Sequence, residues 1–175
     1  RRWIAVRAGG KASKRDYLKL HALFQLPELN IPNMEVTHGE AHDSPQLKRL
    51  LRELPLDDVE AAAMDSGYLS RRNCTLLSEH GVRGIFIKPK KNTTARSHGS
   101  KAWRDMILAY QENKEEWIAQ YNNIRPLAES GFSAFKRTMG HWLTSLKRSM
   151  QRKELITRVV VYNLRIAAKR SFTKF

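Results

Sequence analysis

The sequence predicts an α/β protein with a helical C-terminal third, and three patterns predict it. Short apolar runs of strand length alternate with helical runs through the first half. Turn and cap residues separate them. Beyond the Lys90–Ser100 stretch, apolar residues recur only at helical spacing.

Taken in order, Gly9-Gly10 marks a turn. Tyr17, Leu18, Leu20, Ala22, Leu23 and Phe24 form an extended run broken by Lys19 and His21. Ile31 to Thr37 reads as a second strand beside the breakers Pro27 and Pro32. Asp43-Ser44-Pro45 is a helix start, a capping side chain followed by proline in the first turn. Leu47, Leu50, Leu51 and Leu54 continue that helix and Pro55 stops it. Val59 to Met64 is a short buried strand stopped at Asp65-Ser66-Gly67. Ser70 to His80 is a helix with Gly81 as its stop. Gly84 to Lys88 is a further strand, and Lys90 to Ser100 is a polar, basic loop.

The second half is helical. Trp103, Met106, Ile107, Tyr110, Trp117 and Tyr121 form one stripe, and Ile124, Ala128, Phe132, Phe135 and Met139 another. Leu155 to Ala168 is a third helix, apolar on most sides and expected to be well buried. Core packing is the plain reading of every aromatic in these stripes.

A length of 175 residues, 41% of them hydrophobic, suits one domain with a real core. The net charge of +15 points to a polyanionic partner, with nucleic acid first. That charge is uneven: residues 131–175 hold eleven Lys and Arg against one acid, Glu154, and residues 83–104 hold seven against none. Cys74 is the only cysteine, which excludes an internal disulfide and suits a reducing, intracellular setting. No apolar run is long enough to span a bilayer. The chain opens on Arg1-Arg2-Trp3 rather than Met, as a piece of something longer or a processed product would.

Two acids stand out by position. Asp65 ends a short hydrophobic strand, the edge where open α/β sheets bind ligands; Asp-Ser-Gly is equally good turn chemistry. Glu129 follows Arg125 by four residues and precedes Lys136 by seven, so all three share one helical face. Taken alone, that face reads as a solvated one with a weak ion pair. Taken together, a carboxylate at a strand end and another on a later helix, with cations beside them, are what phosphoryl transfer on DNA needs. Two divalent metals about 3.5–4 Å apart stabilise the attacking and leaving oxygens, and carboxylates hold them.

The segments carrying these acids resemble the DDE transposases of bacterial and archaeal insertion sequences. Ala63-Met-Asp65-Ser-Gly-Tyr-Leu-Ser-Arg-Arg-Asn73 is similar to the family's second-aspartate segment. Tyr121-Asn-Asn-Ile-Arg125-Pro-Leu-Ala-Glu129-Ser-Gly-Phe-Ser-Ala-Phe-Lys136 is similar to its Tyr, Arg, Glu, Lys signature. The Arg-to-Glu and Glu-to-Lys intervals are kept; the Tyr-to-Arg gap is one residue longer than the commonest form. Tyr17-Leu-Lys-Leu-His21 and His42-Asp-Ser-Pro45 are weaker matches. The resemblance implies an RNase H-like mixed sheet with flanking helices and an incomplete N-terminal strand. It further implies a catalytic domain over residues 1–175, cutting and rejoining phosphodiester bonds with two Mg²⁺ or Mn²⁺ ions. Asp65 and Glu129 would hold metal, Arg125 and Lys136 would position phosphates, and Tyr121 would pack beside the cleaved strand. Lys88, Lys90 and Lys91 follow a strand and would touch the DNA backbone, or form a solvated loop. The implied partner is double-stranded DNA, both element ends and target, with a possible homodimer and a cytoplasmic, nucleoid-associated prokaryotic setting.

One departure matters. The family's first aspartate precedes the segment that Trp3-Ile-Ala-Val-Arg7 resembles, and nothing before Trp3 supplies it. Asp16 is at the wrong place, and Asp43 is better explained as a cap. This chain alone is therefore expected not to cleave. The alternatives are a non-catalytic basic DNA-binding protein, such as a transposase remnant, and an RNA-associated basic protein, which leaves the Glu129 signature unexplained. His38-Gly-Glu-Ala-His42 is not the zinc-protease order. Cys74 reads as a small buried residue.

Overall fold

The computed structural model describes residues 17–54 and 59–172. The Trp3–Arg7 segment, the Gly9-Gly10 turn, Asp16 and Pro55 lie outside the described residues. The class is mixed α/β. The elements run β1 (Leu18–Ala22), β2 (Met34–His38), α1 (Leu47–Leu50), β3 (Ala61–Met64), α2 (Arg71–Glu79), β4 (Gly84–Ile87), α3 (Lys101–Glu112), α4 (Lys114–Met139) and α5 (Arg148–Phe172). The described strands pair two by two, β1 with β2 antiparallel and β3 with β4 parallel. The chain divides into two compact units: residues 1–41 with 128–175, and residues 42–127.

The first unit pairs β1 to β2 with Leu20 opposite Val36. Leu20, Ala22, Phe24 and Met34 pack against a core of Ile31, Phe135, Val159 and Tyr162. Leu155, Val159, Tyr162 and Ile166 supply the α5 side of that packing, one helical stripe at spacings of three and four. Asn163 sits beside the stripe and completes it: its Oδ1 accepts from the Ile31 N–H at 2.9 Å, and its Nδ2 donates to the Ile31 carbonyl at 2.8 Å. One side chain thus pairs both backbone groups of a buried loop residue. The rest of α5 corrects the expectation of a helix buried on most sides. Val160, Val161 and Leu164 are 51%, 46% and 64% exposed. β-branched and leucine content signals an apolar helix; it does not supply partners for every face.

In the second unit, Leu47, Leu50, Leu51, Cys74, Leu77, Val82, Ile87, Met106 and Ile107 are buried. β3 and β4 pair from Ala61–Gly84 to Met64–Ile87, which brings the end of β3 beside the end of β4. Serine caps start two of the helices. Ser70 accepts from the Asn73 N–H, and Ser100 from the Trp103 N–H. Asn113 separates α3 from α4. Its Oδ1 accepts from the Glu116 N–H at 3.2 Å while its Nδ2 donates to the Glu116 carboxylate at 2.7 Å, a reciprocal cap. α4 then runs on through Pro126 to Met139, so both aromatic stripes of the second half meet on it. Asp43 departs from expectation. It occupies the cap position of the short 3-10 turn Ser44–Gln46 but makes no side-chain cap hydrogen bond. None of the described helices is long and apolar enough to cross a membrane.

Candidate functional site

Asp65 is the first residue after β3. Its backbone is extended (φ −64°, ψ 154°), and its carbonyl accepts from the Tyr68 N–H at 2.9 Å, closing the 3-10 turn Ser66–Tyr68. The backbone therefore does the turn work. The side chain does not: it makes no cap hydrogen bond and reaches to Arg125 instead. Arg125 Nε donates to Asp65 Oδ1 at 2.9 Å, and its Nη2 lies 2.8 Å from the same oxygen. The Asp65 side chain is 61% exposed. An ion pair so open to water adds little stability, and its carboxylate remains accessible to a ligand.

The turn behind Asp65 is built rigidly. Asn73 is 3% exposed, and its Nδ2 donates to the Tyr68 carbonyl at 2.7 Å, the Ser44 carbonyl at 3.0 Å and Ser44 Oγ at 3.1 Å. Ser44 Oγ in turn donates to Ser70 Oγ. One buried amide thus ties the segment after Asp65 to the segment before α1. Gly67 allows the same approach on its other side. A Cβ there would stand 2.6 Å from Asp43 Oδ2, so only glycine lets that carboxylate lie against the turn. Burial raises the Tyr68 phenol above its usual range, and the nearby Asp43 and Asp65 carboxylates add to the effect. Sequence reasoning missed Asn73 and gave Asp43, which does occupy the cap position, a side-chain cap hydrogen bond that it does not make. The Asp-Ser-Gly-Tyr stretch marked the turn, but it carried no sign of what lies behind it.

The remaining candidates fall in different surroundings. Tyr121 lies in the core of the second unit, 6% exposed, its ring stacked on Trp117 with centroids 5.5 Å apart. Trp117 also meets Phe86 and Tyr110. The stripe reading of Tyr121 as packing describes this position; a ring so enclosed does not lie against a DNA strand. Glu129 is exposed on α4, one turn beyond Arg125 along the same helix, and Lys136 is exposed near its end. Lys88, Lys90 and Lys91 are exposed after β4. Their loop is braced: Lys90 N–H donates to Thr93 Oγ1, Trp103 Nε1 to the Thr94 carbonyl, and Arg71 Nε to the Arg96 carbonyl. The Arg71 guanidinium also stacks 4.7 Å over Trp103.

Asp65 and Glu129 offer hard oxygen donors, the type Mg²⁺ and Mn²⁺ take. Among the described residues, no group of three or more His, Cys, Asp or Glu is arranged to hold a metal ion. Cys74 is fully buried, and burial pushes its thiol up to about 11, which suits packing rather than chemistry. His38 Nδ1 accepts from Arg148 at 3.2 Å within the first unit.

A family model described as "Transposase DDE domain" matches residues 2–164. No curated protein and no solved structure matches the chain.

Proposed function

The chain belongs to the transposase DDE domain family, and from that premise we propose that it carries part of a metal-dependent site for phosphodiester cleavage and strand transfer on double-stranded DNA. What supports the reading is the Asp65–Arg125 ion pair. The resemblance picks out two segments sixty residues apart, a second-aspartate strand end and a Tyr-Arg-Glu-Lys helix, and this pair joins them. Asp65 and Glu129 would hold metal, which when bound activates an attacking oxygen and neutralises charge on the phosphate. Arg125 fixes the Asp65 carboxylate from one side through Oδ1. Lys88, Lys90, Lys91 and Lys136 would bind backbone phosphates, with Arg125 sharing its charge between Asp65 and the strand. Tyr121 serves by anchoring the helix that carries Arg125 and Glu129.

Two carboxylates bind such ions weakly, and the chemistry wants three. The 175-residue chain by itself is expected not to nick DNA in Mg²⁺ or Mn²⁺. Its affinity for Mn²⁺ tests the site directly, by titration followed through electron spin resonance. Asp65→Asn and Glu129→Gln should each weaken Mn²⁺ binding about tenfold or more. Equal binding in all three proteins would remove the metal site. Nicking that Asp65→Ala abolishes would overturn the two-carboxylate account.

A further inference from the structure

α5 has two unlike sides. Leu155, Val159, Tyr162 and Ile166 pack into the core of the first unit. Successive helical residues turn by about 100°. Met150, Val160, Val161 and Leu164 therefore fall on the opposite side, exposed at 48%, 51%, 46% and 64%. Exposed Ala168 continues this stripe, and Phe172, 82% exposed, ends it. From Met150 to Leu164 alone the stripe runs about 20 Å. Lys153 and Thr157 interrupt it, and the Lys153 stem is long enough to lie along apolar neighbours with its ammonium outward. Contact with water or with phosphate does not call for such a row of apolar side chains.

Basic residues border the stripe along both edges. Exposed Arg165 and Lys169, one turn apart, lie along one edge. Arg152 and Arg170 share the other. Arg152 pairs with Glu35 and Arg170 with Glu28, yet their side chains stay 56% and 57% exposed. The single acid of α5, Glu154, does not offset them outward. It is 15% exposed and is held by Arg158 and by the Thr144 and Ser145 N–H groups. A nucleic-acid backbone would use the two basic rows and leave the stripe in water. An anionic lipid surface uses both: headgroups meet the cations, and the boundary of the acyl chains meets the stripe. α5 is not long and apolar enough to cross a membrane, so this contact is one of lying on the surface.

We propose that α5 is a docking helix for an anionic lipid bilayer, seated with the Met150–Val160–Val161–Leu164 stripe at the headgroup boundary and the two basic rows among the headgroups. Flotation of the 175-residue chain with vesicles, without DNA or metal, tests this. Vesicles of phosphatidylglycerol and phosphatidylcholine should carry the chain at least about tenfold more tightly than vesicles of phosphatidylcholine alone, and added salt should weaken that binding. Val160→Gln with Leu164→Gln removes apolar area at constant charge and should weaken binding to the anionic vesicles by about tenfold or more. Arg165→Gln with Lys169→Gln should weaken it by a similar factor. The same Val160 and Leu164 pair should leave affinity for duplex DNA unchanged, because phosphate contacts do not use the stripe. All four positions are exposed, and circular dichroism checks that each variant is folded. A chain that stays behind when anionic vesicles float overturns the proposal, and the stripe then faces a protein. Vesicle binding that ignores Val160→Gln with Leu164→Gln also overturns it, since plain charge adsorption then suffices. So does an equal loss of DNA affinity in that variant, which would make the stripe part of a nucleic-acid surface. None of these outcomes bears on Mn²⁺ binding, so this proposal and the metal site fail separately.

Discussion

Asp65 lies 2.8 Å from Arg125 in one unit, and Glu154 lies 2.7 Å from Arg158 in the other. The lengths match and the surroundings do not. Glu154 is 15% exposed and also accepts from the Thr144 and Ser145 N–H groups at 2.8 Å and from Thr144 Oγ1 at 3.2 Å. Its lone pairs are spent on holding the Thr144–Ser145 turn to α5. Asp65 is 61% exposed, and both of its contacts to Arg125 use one oxygen. A carboxylate saturated by donors is structural; one anchored at a single oxygen and open to water can take a ligand. The salt-bridge distance alone distinguishes nothing.

The largest effect expected from this contrast is on stability. Glu154→Ala strands two backbone N–H groups and a guanidinium, and should cost about 2–4 kcal/mol in urea unfolding. A loss below about 0.5 kcal/mol would dissolve the distinction. Next comes Asn73→Ala, which leaves the Tyr68 and Ser44 carbonyls without their donor and should cost about 1–3 kcal/mol. Because Asn73 acts behind Asp65, Mn²⁺ affinity should fall with it even at temperatures where the variant is fully folded. Unchanged affinity in folded Asn73→Ala would make the amide a purely structural brace.

A pH effect sharpens the same contrast. Burial works to raise the Glu154 pKa, but the N–H groups of Thr144 and Ser145 outweigh it, and the carboxyl drops from 4.5 to about 2. The unfolded chain then takes up its proton at a higher pH than the folded one. The stability from Glu154 is complete above 4.5 and is lost as pH falls from 4.5 toward about 2. Melting temperatures of the wild type should decline more steeply through that window than those of Glu154→Gln; parallel declines would refute the assignment. The smallest expected effect is at Asp65 itself. Asp65→Asn should change stability by no more than about 0.5 kcal/mol, while still weakening Mn²⁺ binding.

The strands and helices were largely legible because apolar runs and caps are local signals. Ser70, Gly81 and the β3 and β4 runs stand where periodicity placed them. Asp65 and Glu129 stand out as a pair only through resemblance, since each taken alone looks like ordinary turn or surface chemistry. Asn73 was not legible: a polar residue in a helix shows nothing of its burial until the segment around Ser44 packs over it. Tyr121 carried two meanings, packing from its stripe and DNA contact from the signature, and its stacking on Trp117 favours the first. α5 was misjudged for a related reason. Its apolar content was correctly seen, but burial depends on what lies opposite each face, and Val159 and Tyr162 have partners that Val160 and Leu164 lack within the unit.

The proposal that Asp65 and Glu129 hold one metal carries the rest. Iron-directed cleavage tests it most directly: Fe²⁺ replaces Mg²⁺ in the purified chain, ascorbate and peroxide are added, and the backbone breaks are mapped by mass spectrometry. Breaks at both the Asp65 turn and the Glu129 turn of α4, suppressed together by excess Mg²⁺ and by Asp65→Asn, are the predicted result. Breaks at only one of the two, or none that Mg²⁺ suppresses, would contradict it.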